Sequence, residues 1–338
     1  MVSQAAEPLE HGGDLSAARR LFPGAPEPFI DLSTGINPYP YPLPQLPPAS
    51  FERLPQADAL ARLVDAAAKA YGAPSPACIV AAPGTQSLLP LVAALKPAGQ
   101  VAILGPTYAE HARVAKLAGH RVIETRELDE LGDADLAIVV NPNNPDGRLL
   151  AVADLLALAE KLGRRAGILV VDEAFMDVGP PKMSLARDVR RGNIVVLRSF
   201  GKFFGLAGVR LGFAIAAEDI AARLRASLGP WAVSGPAIAI GEIALADNAW
   251  IETTRVRLAQ AEQRLDRLLA GAGLEVVGGT ALFRLAQTPA AAALYQELGH
   301  AGILVRPFSE HPTWLRFGLP GEEQAWARLA NTLAGNAR

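Results

Sequence analysis

The stretch Gly167-Ile-Leu-Val-Val-Asp172-Glu-Ala-Phe175 governs how the rest of the chain is read. Four consecutive apolar residues, three of them branched at Cβ, predict a strand buried on both faces, because a strand with one wet face alternates apolar with polar. Such strands belong to parallel sheets covered by helices, and a carboxylate at the carboxyl end sits where these sheets present ligand-binding groups. Outward from it, the runs at 79–81, 101–104, 136–140, 194–197 and 213–216 share the pattern. Ala/Leu-rich segments of helical period lie near 58–71, 86–95, 108–118, 151–162 and 218–227. The alternation predicts an α/β domain of βα units on a mostly parallel sheet. After Pro230 a helical stretch over 236–271 leads to strands near 274–277, 281–286, 303–306 and 314–318, with helices near 289–299 and 322–334, which reads as a smaller α+β domain. Upstream, Asn37-Pro-Tyr-Pro-Tyr-Pro-Leu-Pro-Gln-Leu-Pro-Pro48 is extended, because alternating prolines block helix. It reads as a rigid arm packed on its own protein or on a second subunit, more readily than as a ligand for a proline-binding module. The expected division is an N-terminal arm and loop over 1–50, a large domain over 51–230 and a small domain over 231–338.

Composition narrows the classes of function. Lysine and arginine number 32 against 34 acids, which gives no sign of a nucleic-acid surface or a polybasic membrane anchor, so individual arginines have to hold any anionic ligand. The single Cys78, between Ala77 and Ile79-Val80, excludes an internal disulfide and reads as a buried thiol, which suits a reducing compartment and a cytoplasmic protein. Glu7, Glu10 and His11 are not the flank of a signal peptide, and no apolar run approaches the ~18 residues of a membrane span. No metal site is expected.

Four polar groups follow predicted strands or open predicted helices. They are Ser199-Phe-Gly-Lys202 with Gly205-Leu-Ala-Gly-Val-Arg210-Leu-Gly, Asp172, Asn141-Pro-Asn-Asn144-Pro-Asp-Gly147, and Pro83-Gly84-Thr85-Gln86. Singly, each has a bland reading as a turn residue, a surface lysine or a helix cap. Together they meet the needs of pyridoxal 5'-phosphate, which takes a lysine for an imine, a carboxylate for its pyridine nitrogen, a donor for its phenolic oxygen and an anion cradle. Lys202, Asp172 and Asn144 suit the first three roles. Ser199, Arg210 and the backbone N–H groups of Gly84, Thr85 and Gln86 at a helix start suit the fourth, and Tyr108 suits stacking on the ring.

The order Gly-Thr-Gln, Thr-Tyr, Asn-Pro-x-Asn-Pro-x-Gly, Asp-Glu-Ala-Phe, Ser-x-x-Lys and Gly-x-Arg-Leu-Gly resembles the class I/II aminotransferase group of fold type I, over nearly the whole chain. Within that group it resembles the branch holding histidinol-phosphate aminotransferases and the threonine-phosphate decarboxylases of cobalamin biosynthesis, the second more closely. The marks are His11-Gly12-Gly13, Asp31-Leu-Ser-Thr-Gly-Ile-Asn37-Pro38 and Asp172-Glu-Ala-Phe175-Met-Asp177. The resemblance implies a phosphorylated amino acid as substrate, with Arg316 on its α-carboxylate, Arg306 on its phosphate, and His11, Gly13 and Asn37 in a loop that closes over that phosphate. It also implies a homodimer. Two positions depart from the pattern. Phe175 stands where many relatives place a tyrosine that donates to the phenolic oxygen, leaving Asn144 as the main partner. Leu54-Pro55 stands at a Tyr-Pro pair whose tyrosine reaches across subunits. Transamination of histidinol phosphate is the rival reading. A serine hydrolase built on Ser199 and Lys202 lacks the accompanying Ser-Asp-Asn and Lys-Thr-Gly. A binding protein that merely keeps the cofactor is disfavoured by the intact Lys/Asp/Asn set, and a dinucleotide site by the lack of a Gly-x-Gly-x-x-Gly after a strand.

Overall fold

A computed structural model describes residues 12–335, which form two compact units. The larger, Ile36–Glu262 with Gly278–Leu282, is built on a seven-stranded sheet. Its spatial order is Ile79–Ala82, Gly212–Ala216, Ile194–Ser199, Ile168–Asp172, Leu136–Val140, Gln100–Leu104, Arg121–Thr125. Neighbours from Ile194–Ser199 onward are parallel, and Gly212–Ala216 runs antiparallel to both of its neighbours. Every residue of Leu136–Val140, Ile168–Asp172, Ile194–Ser199 and Gly212–Ala216 is buried. That is why these strands read as unbroken apolar runs, and the mostly parallel α/β sheet is as the alternation implied.

Register then gathers the polar strand ends. Val140 pairs with Asp172, Asp172 with Leu197, Ser199 with Gly212, and Gly212 with Ala82. The loops leaving these positions carry Asn144, Lys202 and Gly84.

Three departures from the sequence reading concern individual sheet strands and helices. Arg121–Thr125 is an additional edge strand whose charged Arg121 and Glu124 are exposed; such charges blunt an open edge and hide the strand from an apolar-run search. The stretch 236–271 is two helices, Gly235–Ala246 and Asn248–Gly271. Asp247 interrupts it, its Oδ1 accepting from Trp250 N at 3.0 Å as a cap. In the smaller unit, 303–306 divides into Ile303–Leu304, parallel to Ile30–Asp31, and Arg306–Pro307, antiparallel to Trp314–Gly318.

Among the described residues that smaller unit comprises 12–35, Gln263–Val277 and 283–335. It carries a sheet ordered Arg306–Pro307, Trp314–Gly318, Phe283–Gln287, Glu275–Thr280. Asp14 caps the helix Leu15–Leu21 by accepting from Ala17 N at 2.8 Å. Phe22, fully buried, closes over Gly299, where any side chain would collide with its ring. Among the described residues no helix is long and apolar enough to cross a membrane.

Candidate active site

In the larger unit the site is assembled around Asp172, 5% exposed at the end of its strand. Its Oδ1 accepts from Ala174 N at 3.0 Å, and its Oδ2 lies 2.9 Å from Nε2 of the buried His111. Both carboxylate oxygens are therefore oriented before any ligand arrives. The neighbouring loop begins at Asn141, whose N donates to Asp172 O at 2.8 Å. Asp146 Oδ1 folds this loop by accepting from Asn143 Nδ2 at 2.8 Å and Arg148 N at 3.0 Å, while Asn143 Oδ1 accepts from the Thr107 hydroxyl at 2.6 Å. Gly147, at φ 72°, completes the turn against Gly279, whose carbonyl oxygen would lie only 1.8 Å from a Cβ. The half-buried Asn144 rides on this scaffold.

Lys202 occupies the single helical turn Phe200–Phe203 that follows Ser199. Asn37 holds that turn from outside, its backbone N donating to Lys202 O at 2.9 Å and its Nδ2 to Phe203 O at 2.8 Å. The Lys202 ammonium stands 5.8 Å from the centroid of the buried Phe175 ring. Gly84, at φ 81°, has no room for a side chain, since a Cβ would come within 2.7 Å of Arg210 Nη2; the guanidinium lies over this turn. Gly212 likewise leaves space for Thr85 N, 2.6 Å from where its Cβ would be. Backbone N–H groups and a guanidinium thus face one glycine-lined turn, an arrangement suited to an anion.

Tyr108 donates to Gln86 Oε1 at 3.3 Å and meets the His111 ring edge-on, 5.9 Å away. Gln86 Nε2 in turn donates to the buried Glu110 at 2.6 Å. Sequence reading missed Glu110 and His111. Both lie on the helix Glu110–Leu117, and only the topology brings Asp172 and Gln86 to them.

This donor set fits pyridoxal phosphate. It offers an amine, a buried and pre-oriented carboxylate, an aromatic ring, and a cation above a turn that admits no side chain. Among the described residues no group of three or more His, Cys, Asp or Glu side chains is placed to hold a metal.

The smaller unit holds a second charged assembly. Arg306 and Arg316 pair directly across antiparallel strands. Arg316, 4% exposed, donates from Nη2 to Ser33 O at 2.7 Å and lies 5.0 Å from the Phe283 ring centroid. Burial first, and the Arg306 guanidinium second, pull Arg316 down to about 9, against the opposing pull of Asp31. Like charges directly opposite on neighbouring strands repel. Gly13, at φ 94°, donates its N to Ser33 Oγ at 2.8 Å, and Ser33 Oγ donates to Asp31 Oδ1 at 2.5 Å. A cavity of about 260 Å³ is lined by Gly12, Asp14, Ser33, Tyr295 and Arg306 among others. His11 lies outside the described residues.

Residues 29–333 match the family model for class I and II aminotransferases, and the chain belongs to that family. Over 97% of its length it is 45% identical to a threonine-phosphate decarboxylase from a Sinorhizobium species, of which it covers 98%. It is 44% identical, over 97% of its length, to a threonine-phosphate decarboxylase from Pseudomonas aeruginosa, again covering 98%. Among solved structures, a histidinol-phosphate aminotransferase from Sinorhizobium meliloti, in complex with pyridoxal-5'-phosphate, shares the fold with a TM-score of 0.81 at 21% identity. That likeness covers 100% of this chain and 98% of the other.

Proposed function

We propose that the protein is a pyridoxal-phosphate enzyme that decarboxylates L-threonine O-3-phosphate to (R)-1-amino-2-propanol O-2-phosphate, supplying the aminopropanol arm of cobalamin. The observation that carries this reading is the Arg306/Arg316 pair, in a chain 45% identical end to end with a threonine-phosphate decarboxylase. Two guanidiniums on adjacent strands suit a substrate bearing both a carboxylate and a phosphate, and planar bidentate recognition suits arginine to each.

When bound, pyridoxal phosphate would supply the electron sink for the pair left at the substrate α-carbon on loss of the carboxylate. Lys202 Nζ is its attachment point and afterwards delivers the proton that replaces the carboxylate at that carbon. Asp172, held by His111 and Ala174, keeps the pyridine nitrogen protonated. Asn144 donates to the phenolic oxygen. Gly84, Thr85, Gln86, Ser199 and Arg210 take the cofactor phosphate, and Tyr108 stacks on the ring. Arg316 holds the substrate carboxylate and Arg306 the substrate phosphate, with His11 and Gly13 in the closing loop, while Asn37 fixes the Lys202 turn. Holding both anionic ends fixes rotation about the substrate's N–Cα bond, and this selects the bond that breaks.

The working form is a cytoplasmic homodimer. In the larger unit Leu43, Phe51, Leu54 and Trp231 are between 59% and 69% exposed. Next to Pro55, a cavity of about 300 Å³ is lined by Leu60, Leu228, Trp231 and Val233. Apolar surface of this kind marks a protein interface.

The deciding experiment incubates purified enzyme with threonine phosphate and no keto acid. Carbon dioxide and the amine should accumulate over many turnovers. A single turnover without carbon dioxide, with cycling only after 2-oxoglutarate is added, would place the chain with the histidinol-phosphate aminotransferases.

A further inference from the structure

We infer that Glu110 is a positioning residue for the cofactor ring, acting through Gln86 on Tyr108; the inference rests on the cofactor site proposed above. Glu110 is 2% exposed, a depth at which a carboxylate persists only if paired. Arg113 supplies the pairing as a fork, Nε to Oε1 at 2.8 Å and Nη2 to Oε2 at 3.0 Å. The same Oε2 accepts from Gln86 Nε2 at 2.6 Å.

A carboxylate only accepts, so Gln86 has to turn its amide nitrogen toward Glu110 and its carbonyl away. That carbonyl, also acceptor-only, lies 3.3 Å from the Tyr108 hydroxyl, which therefore has to donate to it. The relay has a single polarity from Tyr108 through Gln86 to Glu110, terminated by Arg113. It pins the ring of Tyr108 by its hydroxyl, while the His111 ring bears on it edge-on at 88°. Glu110 touches neither cofactor nor substrate; it decides which way the Gln86 amide points and so how the stacking ring is tilted.

The test uses Glu110→Gln, Tyr108→Phe and the double variant of the full chain. A glutamine at 110 donates as readily as it accepts, so the Gln86 amide loses its enforced direction. Two quantities are read, the dissociation constant for pyridoxal phosphate by equilibrium dialysis and the visible circular dichroism of the bound cofactor, which reports ring tilt. Each single variant should weaken cofactor binding by up to about tenfold, as for loss of one hydrogen bond, and shrink the dichroic band. The double variant should do no worse than either single, because one relay is broken once. Wild-type values for Glu110→Gln, or effects that multiply in the double variant, would overturn the inference. If Glu110→Gln does not fold, Gln86→Leu breaks the middle link and has to reproduce Tyr108→Phe. A wild-type protein with no visible band in excess pyridoxal phosphate would instead sink the cofactor site itself.

Discussion

Arg316 is buried next to a second guanidinium, and both facts bear on how its charge changes with pH. Below about 9 it is charged in both folded and unfolded chains, and the folded state carries the burden of burial and of Arg306. Above about 9 the folded protein gives up that proton while the unfolded chain still holds it, so the intrinsic stability contribution of this group rises with pH from there. An anion bound at the pair works the other way, since it favours the charged form. Threonine phosphate should therefore raise the melting temperature clearly at pH 7.5, and the increment should shrink as pH passes about 9. Differential scanning fluorimetry across that range checks this, and an increment independent of pH would remove Arg316 from substrate binding. Both arginines were legible because each follows an apolar run. Glu110 and His111 were not, because what distinguishes them is contact with residues 24 and 61 positions away.

At the scale of elements, the loop that carries Asn144 is folded by the Asp146 and Asn143 side chains and closed by a tight backbone approach at Gly147. Gly147 has a left-handed φ of 72°, and a Cβ there would collide with the Gly279 carbonyl. Gly147→Ala should lower unfolding free energy by more than the ~1 kcal/mol of conformational strain alone, and should reduce kcat because Asn144 moves with the loop. Gly192→Ala is the control. Its φ of 94° brings the same kind of strain, but nothing lies within 4 Å of its Cβ, so kcat should be unchanged. Urea melts and turnover measured on both variants separate strain from collision, and equal losses in the two would deny the loop its role. The central strands could be read from sequence because burial on both faces forces an unbroken apolar run. The edge strand Arg121–Thr125 could not, since one open side admits charge. The interruption at Asp247 was invisible because apolar periodicity continues through it, and the residue acts by capping the helix Asn248–Gly271.

For the whole molecule, association is the testable property. Trp231, 59% exposed at φ 57°, stands beside the apolar cavity near Pro55. Trp231→Glu should give a folded monomer by sedimentation, whereas unchanged association would move the interface elsewhere. The proline-rich arm, legible as extended, is fastened within the larger unit at its start, from Asn37 to Tyr41. Tyr41 is buried, donates from its hydroxyl to Asp247 Oδ2 at 3.1 Å and packs edge-on against Trp250, while the Arg257 guanidinium lies 3.3 Å above the Tyr39 ring. These partners are more than 200 positions downstream for Tyr41, and Asn37 meets Phe203 across 166. During synthesis the arm leaves the ribosome long before anything exists for it to dock on. Asn37 can close on the lysine turn once Phe203 is made, but Tyr41 and Tyr39 meet Asp247, Trp250 and Arg257 only later, so a nascent chain stalled before residue 247 would carry every cofactor-contacting residue proposed here with the arm only partly fastened.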